Sequence, residues 1–351
     1  MRRLRIGLAG LGRMGRIHAA NLAWRCPSAR LVAVTDADAG VAARVAAELG
    51  VPVAPSYEEL LSDVDAVALA TPTATHAELV MRAMGAGRDV FCEKPVSLDR
   101  AASVATLDAV RRSGRVLQVG FHRRFDPDWV AAAERIRAGE LGDVYLFRTS
   151  LRDMRSPRPE FLTGSGGFFV DVTIHDLDTA RWLVGEIVEI GAHGAALSDP
   201  GFAELGDIDT ALVVLRFESG ALGVIDNSRS AGYGYECSTE VVGRSATVRI
   251  DQPRRHHYEW RTAGLASYEV VRDFAERYPW AYAAELESFA RAVLDGQPPR
   301  VTGSDALAAF DLARAAERSW RSGQLVRLAP RRVADGVDYS AAVPTATRPE
   351  A

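Results

Sequence analysis

The chain has 351 residues but only three cysteines, Cys26, Cys92 and Cys237. They are too few and too scattered for a disulfide framework or a zinc site, so no metal is expected. Their scarcity fits a reducing, cytoplasmic compartment. No stretch of about 18 apolar residues occurs, so no spanning helix and no membrane partner are expected. The start, "MRRLRIGLAGLG", pairs arginines with apolar residues, but glycines interrupt the run from Ile6 to Leu11 too early for a signal peptide. Positive charge is also in short supply. At a net charge of −4 the chain lacks the electrostatic footprint of a nucleic-acid partner. Internal repeats and low-complexity tracts are missing as well. What remains is 48% apolar and 25% charged residues, the composition of a globular protein with a sizeable core. Its length suggests two domains.

The first 120 or so residues alternate short apolar runs with helical stretches. "LRIGLAG", "ARLVAVTD", "VDAVALAT", "RDVFCEKP" and "RVLQVGF" read as strands. "HAELVMRAMGAG" and "LDRAASVATLDAVRRSG" read as helices between them. Continuous apolar strands separated by helices make a parallel sheet covered on both faces. The expected fold class is therefore α/β, with a Rossmann-type doubly wound parallel sheet over residues 1–121. After Phe121 the pattern changes to hairpin-spaced runs, "VEIGAHG", "DTALVVLRFESGALGVIDNS" and "CSTEVVGRSATVRI", broken by turn signals such as "ESG". These predict an α+β domain over 122–330 with a large, mostly antiparallel open sheet. Residues 331–351 read as a loose tail.

Between the first strand and first helix lies Gly10-Leu11-Gly12-Arg13-Met14-Gly15. In such a turn the first glycine permits the bend, the second admits a pyrophosphate to the backbone, and the third lets helix pack on strand. The helix N-terminus then faces the phosphates. The second strand ends in Asp36, 21 residues after Gly15, where a carboxylate binds the ribose hydroxyls. A carboxylate repels a 2′-phosphate, and Ala37 offers no positive charge, so NAD is favoured over NADP.

"FFVDVTIHDLDTARWL" places Asp171, His175 and Asp178 at helical spacing beside an apolar stripe of Ile174, Leu177 and Val184. Taken alone, that stripe reads as a solvated polar face with an incidental histidine. Further along, "RRHHYEW" from Arg254 reads as a surface segment, since adjacent histidines point apart on a strand. "VFCEKPVS" closes a strand with Glu93, Lys94 and Pro95, at the sheet edge where open α/β folds bind ligands. Pro95 keeps Lys94 out of helical geometry. "ATPTATH" likewise brings Thr71, Pro72 and His76 to the nicotinamide side.

With "GLGRMG", "TPTATH", "CEKPVS", "QVGFHRRFD" and "DVTIHDLDTARWL" in this order, the chain resembles the glucose–fructose oxidoreductase/inositol dehydrogenase/MocA group over about residues 3 to 325. Within it, "VFCEKP", "VGFHRRFD", "HDLDTARWL" and "YGYECSTEVVG" look most like the NAD-dependent inositol 2-dehydrogenases. The resemblance implies that Lys94, Asp171 and His175 are the catalytic residues, with Asp178 supporting the histidine. It implies polyol contacts at Arg123, Tyr235 and Tyr282, and a homotetramer or dimer. Where those dehydrogenases place a histidine, this chain has Leu151, followed by Arg152, Asp153 and the segment to Phe161. Substrate choice is expected to be set there, with Asp153 a substrate contact. The departure leaves two substrates open, an inositol isomer or a pyranose or aminocyclitol precursor. A non-catalytic NAD(P)-binding regulator would lack the lysine or the histidine, and both are present.

Overall fold

The computed structural model describes residues 2–157, 162–333, 336–340 and 342–343. It divides into two compact units, one of residues 1–126 and 279–307, the other of 127–278 and 308–351.

The first unit is built on a sheet of five parallel strands, β1 (Leu4–Ala9), β2 (Ala29–Thr35), β3 (Ala66–Leu69), β4 (Asp89–Glu93) and β5 (Leu117–Gly120), in the order β2-β1-β3-β4-β5. Four helices connect them in the main: α1 (Arg13–Trp24), α2 (Ala39–Leu49), α4 (Thr73–Gly85) and α5 (Arg100–Ser113), with the short α3 (Tyr57–Ser62) between α2 and β3. Local chemistry marks their ends. The Asp38 carboxylate accepts the Gly40 and Val41 amides at the start of α2, and Gly50 closes it at φ 65°. The Asp99 carboxylate accepts the Ala102 amide at the start of α5. Strand order reverses between β1 and β3, which puts a ligand crevice at the carboxyl ends of those strands. That is where the glycine turn, Thr71 and Lys94 lie in sequence.

The helix Pro279–Asp295 belongs to this first unit. The division expected from the sequence, 1–121 against 122–330, assigned it to the second. Leu286, Phe289 and Ala290 are fully buried in one cluster with Ile6, Leu8, Leu22 and Phe91, and this burial draws the helix in. An amphipathic pattern shows that a helix buries a face but not which sheet receives it.

The second unit carries an eight-stranded sheet. Its strands β6 (Val144–Arg152), β7 (Ile187–Ala195), β8 (Thr210–Phe217), β9 (Leu222–Ser228), β10 (Glu236–Gly243) and β11 (Thr247–Ile250) run in the order β11-β10-β6-β9-β8-β7, followed by Val326–Leu328 and Ala342–Val343. All pairs are antiparallel except β6 with β9. β8 shows the alternation that predicted it: Ala211, Val213, Leu215 and Phe217 are buried, while Leu212 and Val214 face outward about half exposed.

The segment expected to be a loose tail is structured where it is described. Arg331–Val333 and Gly336–Asp338 pair as a hairpin, and Ala342–Val343 extends the large sheet. Tyr339 is buried, and its hydroxyl accepts the Ile187 amide and donates to Glu186. These strands are too short to leave a period in the sequence. All three cysteines are buried and outside any disulfide, and burial pushes the Cys26 thiol up to about 12. Among the described residues no helix is long and apolar enough to cross a membrane.

Candidate active site

The residues expected at the site are divided between the two units. In the first, β1 runs into Gly10 at φ 88°, a conformation that costs glycine least. A Cβ on Gly10 would lie 2.6 Å from the Ala70 carbonyl and the Thr71 amide, so the loops after β1 and β3 are in contact. A Cβ on Gly15 would lie 1.9 Å from the Gly10 carbonyl oxygen. Above Gly12, by contrast, nothing lies within 4 Å of an added Cβ. Gly12 is also the N-cap of α1, which has no side-chain cap and no acidic residue in its first turn. Open backbone at an uncapped helix N-terminus fits a pyrophosphate.

Asp36 lies at the end of β2 as expected, with a role the sequence did not disclose. Its Oδ2 accepts the Leu11 amide at 2.6 Å and its Oδ1 the Asp38 amide at 2.8 Å. The carboxylate thus holds the glycine turn. A carboxylate has about four acceptor positions, so two remain for ribose hydroxyls.

Thr71 and Pro72 follow β3, and the Thr71 and Thr75 hydroxyls are 2.8 Å apart. His76, expected as a cofactor contact, lies between two loops of this unit. It is buried, with Nδ1 2.9 Å from the Pro95 carbonyl oxygen and Nε2 2.9 Å from that of Thr71. Both ring nitrogens are engaged by backbone, so the ring ties the loop after β3 to the loop after β4. Burial pushes its pKa down, against the pull of those two carbonyls. After β4, the Glu93 carboxylate folds back over Gly120, where an added Cβ would lie 3.2 Å from it. One oxygen accepts the Lys94 amide at 3.2 Å; the other is 2.7 Å from His18 Nε2. The Lys94–Pro95 peptide is cis. Arg123 and Tyr282, expected at the polyol, are both buried in this first unit, and the Tyr282 ring is 4.9 Å from that of His122.

In the second unit, Asp171 and His175 stand at a change of helix type. Phe169–Thr173 is a π-helical turn, and the α-helix Ile174–Leu183 continues from it. Single π turns occur frequently at functional sites. The segment is buried on most sides: Val172, Thr173, Ile174, Asp176, Leu177 and Asp178 are all under 5% exposed. Asp171 and His175 are its half-buried exceptions in this run. The stripe is therefore no solvated face, because buried residues surround it. Asp178, expected on that stripe, is itself buried.

A buried arginine defines Asp171. Arg229 Nη1 donates to Asp171 Oδ2 at 2.9 Å, and the Arg229 side chain is 1% exposed. Its guanidinium carbon lies 5.4 Å from the Phe168 ring centre and 5.8 Å from that of Phe202. Beside His175, Asp176 accepts from Thr149 on β6 at 3.1 Å and from Asn227 on β9 at 2.8 Å, which pins the helix to the sheet. Leu151 lies on the same sheet face as Thr149, buried and in register with Cys237 and Asn227. Arg152 points to the opposite face, where it pairs with Asp226 and with Glu236, the latter at 2.8 Å. Within the segment expected to choose substrate, Leu151 and Arg152 thus face opposite ways. Residues 158–161 of that segment lie outside the described residues. The Asp153 backbone is tied to Ser228 and Ala231. Tyr235 is buried, 6.3 Å from the Tyr278 ring.

Arg229, Asp176, Asn227 and His18 were missed in the sequence. Burial of a single polar residue leaves no periodic trace, and nothing local marks Arg229 in "DNSRSAG" as a core arginine. His256 and His257 are exposed, as the surface reading of "RRHHYEW" expected.

Comparison with known proteins adds a family. Residues 4–121 match the oxidoreductase family with an NAD-binding Rossmann fold, and residues 129–249 match the GFO/IDH/MocA C-terminal domain. The scyllo-inositol 2-dehydrogenase (NAD(+)) of Bacillus subtilis is 39% identical over 338 residues, covering 95% of this chain and 99% of that one. The myo-inositol 2-dehydrogenase of Thermotoga maritima is 40% identical over 335 residues, covering 93% and 98%. Among solved structures, scyllo-inositol dehydrogenase from Lactobacillus casei with bound NAD(H) and scyllo-inositol superposes with a TM-score of 0.88 at 29% identity, covering 93% and 99%.

Proposed function

Since the chain belongs to the GFO/IDH/MocA oxidoreductase family, we propose that it is an NAD-dependent dehydrogenase that oxidises a ring hydroxyl of an inositol to the ketone. The observation that carries this reading is the pair Asp171 and His175, half-buried where the residues around them are buried, with Asp171 held by Arg229. NAD, when bound, accepts the hydride from the ring carbon. His175 takes the hydroxyl proton, a task suited to an imidazole, whose charge changes near neutral pH. Lys94 donates a hydrogen bond to the reacting oxygen and stabilises its alkoxide character. Asp171, held by Arg229, accepts from a substrate hydroxyl. Gly10, Gly12, Arg13, Met14, Gly15, Asp36, Thr71 and Pro72 hold the cofactor, with Glu93 and His76 supporting the loops around it. The half-exposed Leu212, Val214 and Leu222 on the open face of the large sheet favour burial between subunits of a homo-oligomer. A cytoplasmic location accords with three thiols outside any disulfide.

Asp36 makes cofactor choice testable. NADH and NADPH formation are compared across inositol isomers and common sugars. Catalytic efficiency with NAD should exceed that with NADP at least about tenfold, or about 1.4 kcal/mol. Equal use of NADP would contradict the assignment of Asp36, and failure of every inositol would contradict the substrate.

Leu151 makes substrate choice testable. It faces the same side of the sheet as the Asp176 contacts, and a polyol lacks the apolar surface to match it. Leu151→His should change the ratio of efficiencies among inositol isomers and sugars while NAD affinity stays within about twofold. A uniform loss on all substrates would show that the residue only packs.

A further inference from the structure

Glu285 lies on the inner side of the helix Pro279–Asp295 and is fully buried. Among the described residues neither oxygen of its carboxyl has a hydrogen-bond partner. An oxygen of Glu285, an oxygen of Glu93 and a nitrogen of His18 all lie within 4.8 Å of one another. Phe91 and Tyr282 pack edge-on against the His18 ring at 5.2 and 6.0 Å, which walls the group off. Gln118 contributes an amide, but its Nε2 donates to the Glu285 backbone carbonyl instead. With Glu285 fully buried and Glu93 only 13% exposed, two carboxyls this close favour a state in which one alone is ionised.

We propose that only one of the two carboxyls in this cluster with His18 is ionised, Glu285 being the neutral acid and Glu93 the anion, and that this unit positions Lys94. The second clause rests on the role proposed above for Lys94; the first does not. The environments of the two carboxyls push them apart. Burial and the Glu93 charge hold Glu285 well above the usual carboxylate range. Burial also raises Glu93, but the His18 hydrogen bond and the charges of His18 and Lys94 outweigh it and hold Glu93 low. Such a split assigns acid and anion. The other ionisable groups nearby are Cys26 after α1, Cys92 and Lys94 beside Glu93, His76 acting on Glu93, and Tyr282 one turn before Glu285. The anion then has two tasks. One oxygen is fixed by His18, and the other fixes the Lys94 amide.

The sign of the pH effect follows. A folded-state carboxyl pKa raised above the unfolded value gives stability that is full below the unfolded value, about 4.3, and lost as pH rises. Glu285→Gln keeps the shape and a donor but has no proton to lose. The ratio of its folding equilibrium constant to that of the wild type should therefore grow toward tenfold per pH unit between about pH 5 and 7. The infrared difference spectrum between the two proteins should show a protonated-carboxyl carbonyl band at neutral pH. A ratio independent of pH, or a carboxylate band instead, overturns the neutral Glu285. So does a stoichiometric divalent metal in the purified protein that Glu285→Gln loses, since a metal would ionise the cluster. For positioning, Glu285→Ala should lower kcat at least tenfold with NAD affinity within about threefold, and Glu285→Gln should recover most of that loss. Equal loss in both variants, or none in Glu285→Ala, overturns the link to Lys94. The stability and infrared results stand apart from any activity, so their failure is distinguishable from failure of the dehydrogenase reading.

Discussion

His175→Ala should slow turnover by about 10²- to 10⁴-fold, the usual worth of a positioned general base. The imidazole stands half-buried between Ile174 and Asp176, both fully buried, so truncation removes the ring without opening the helix. Asp176 keeps its bonds to Thr149 and Asn227, and the fold should hold. Lys94→Ala should be damaging to a similar degree, because its proposed role is to stabilise the developing alkoxide. NAD affinity should survive both changes, since neither side chain belongs to the glycine turn. The two losses should be strongly non-additive, as expected of residues proposed to serve one chemical step. Steady-state kinetics of both single variants and the double variant, with NAD binding measured separately, supply the comparison. Near-normal turnover in His175→Ala would refute the assigned base. Fully additive losses would show that Lys94 and His175 act separately.

Arg229→Ala should destabilise the protein by about 3–5 kcal/mol, the cost of leaving a buried partner charge unpaired. The pair merits that range, because the arginine is 1% exposed and Asp171 15%. Its guanidinium also lies over Phe168 and Phe202, so truncation leaves a cavity beneath the π turn. The same change should raise KM, because Asp171 loses the donor that fixes its carboxylate. Denaturant unfolding and kinetics on one preparation distinguish the two effects. A loss below about 1 kcal/mol would place the pair with exposed ion pairs, whose worth is small. An unchanged KM would mean that Asp171 does not contact substrate.

How far the sequence disclosed this molecule depends on the range of each signal. The turn from Gly10 to Gly15 was legible because its chemistry is local: three glycines, a strand before and a helix after. β8 was legible because residues alternate between a buried and an exposed face. The helix Pro279–Asp295 was legible as a helix, but its place in the first unit depends on which core receives Leu286 and Phe289. The π turn at Asp171 was hidden, since an i, i+4 spacing reads the same whether or not one turn is wider. Arg229 and Glu285 were hidden for a different reason. A charged residue in a sequence reads as surface, and only three-dimensional neighbours show that it is buried. His76 lay near the expected loops, yet its ring serves the backbone.

Hydride transfer from an inositol to NAD is followed with a deuterium label. The enzyme is incubated with NAD and an inositol deuterated on its ring carbons, and the NADH formed is weighed by mass spectrometry. One deuterium is expected in each NADH, with an inosose as the co-product. NADH without deuterium, or no NADH from any inositol isomer, would contradict that transfer.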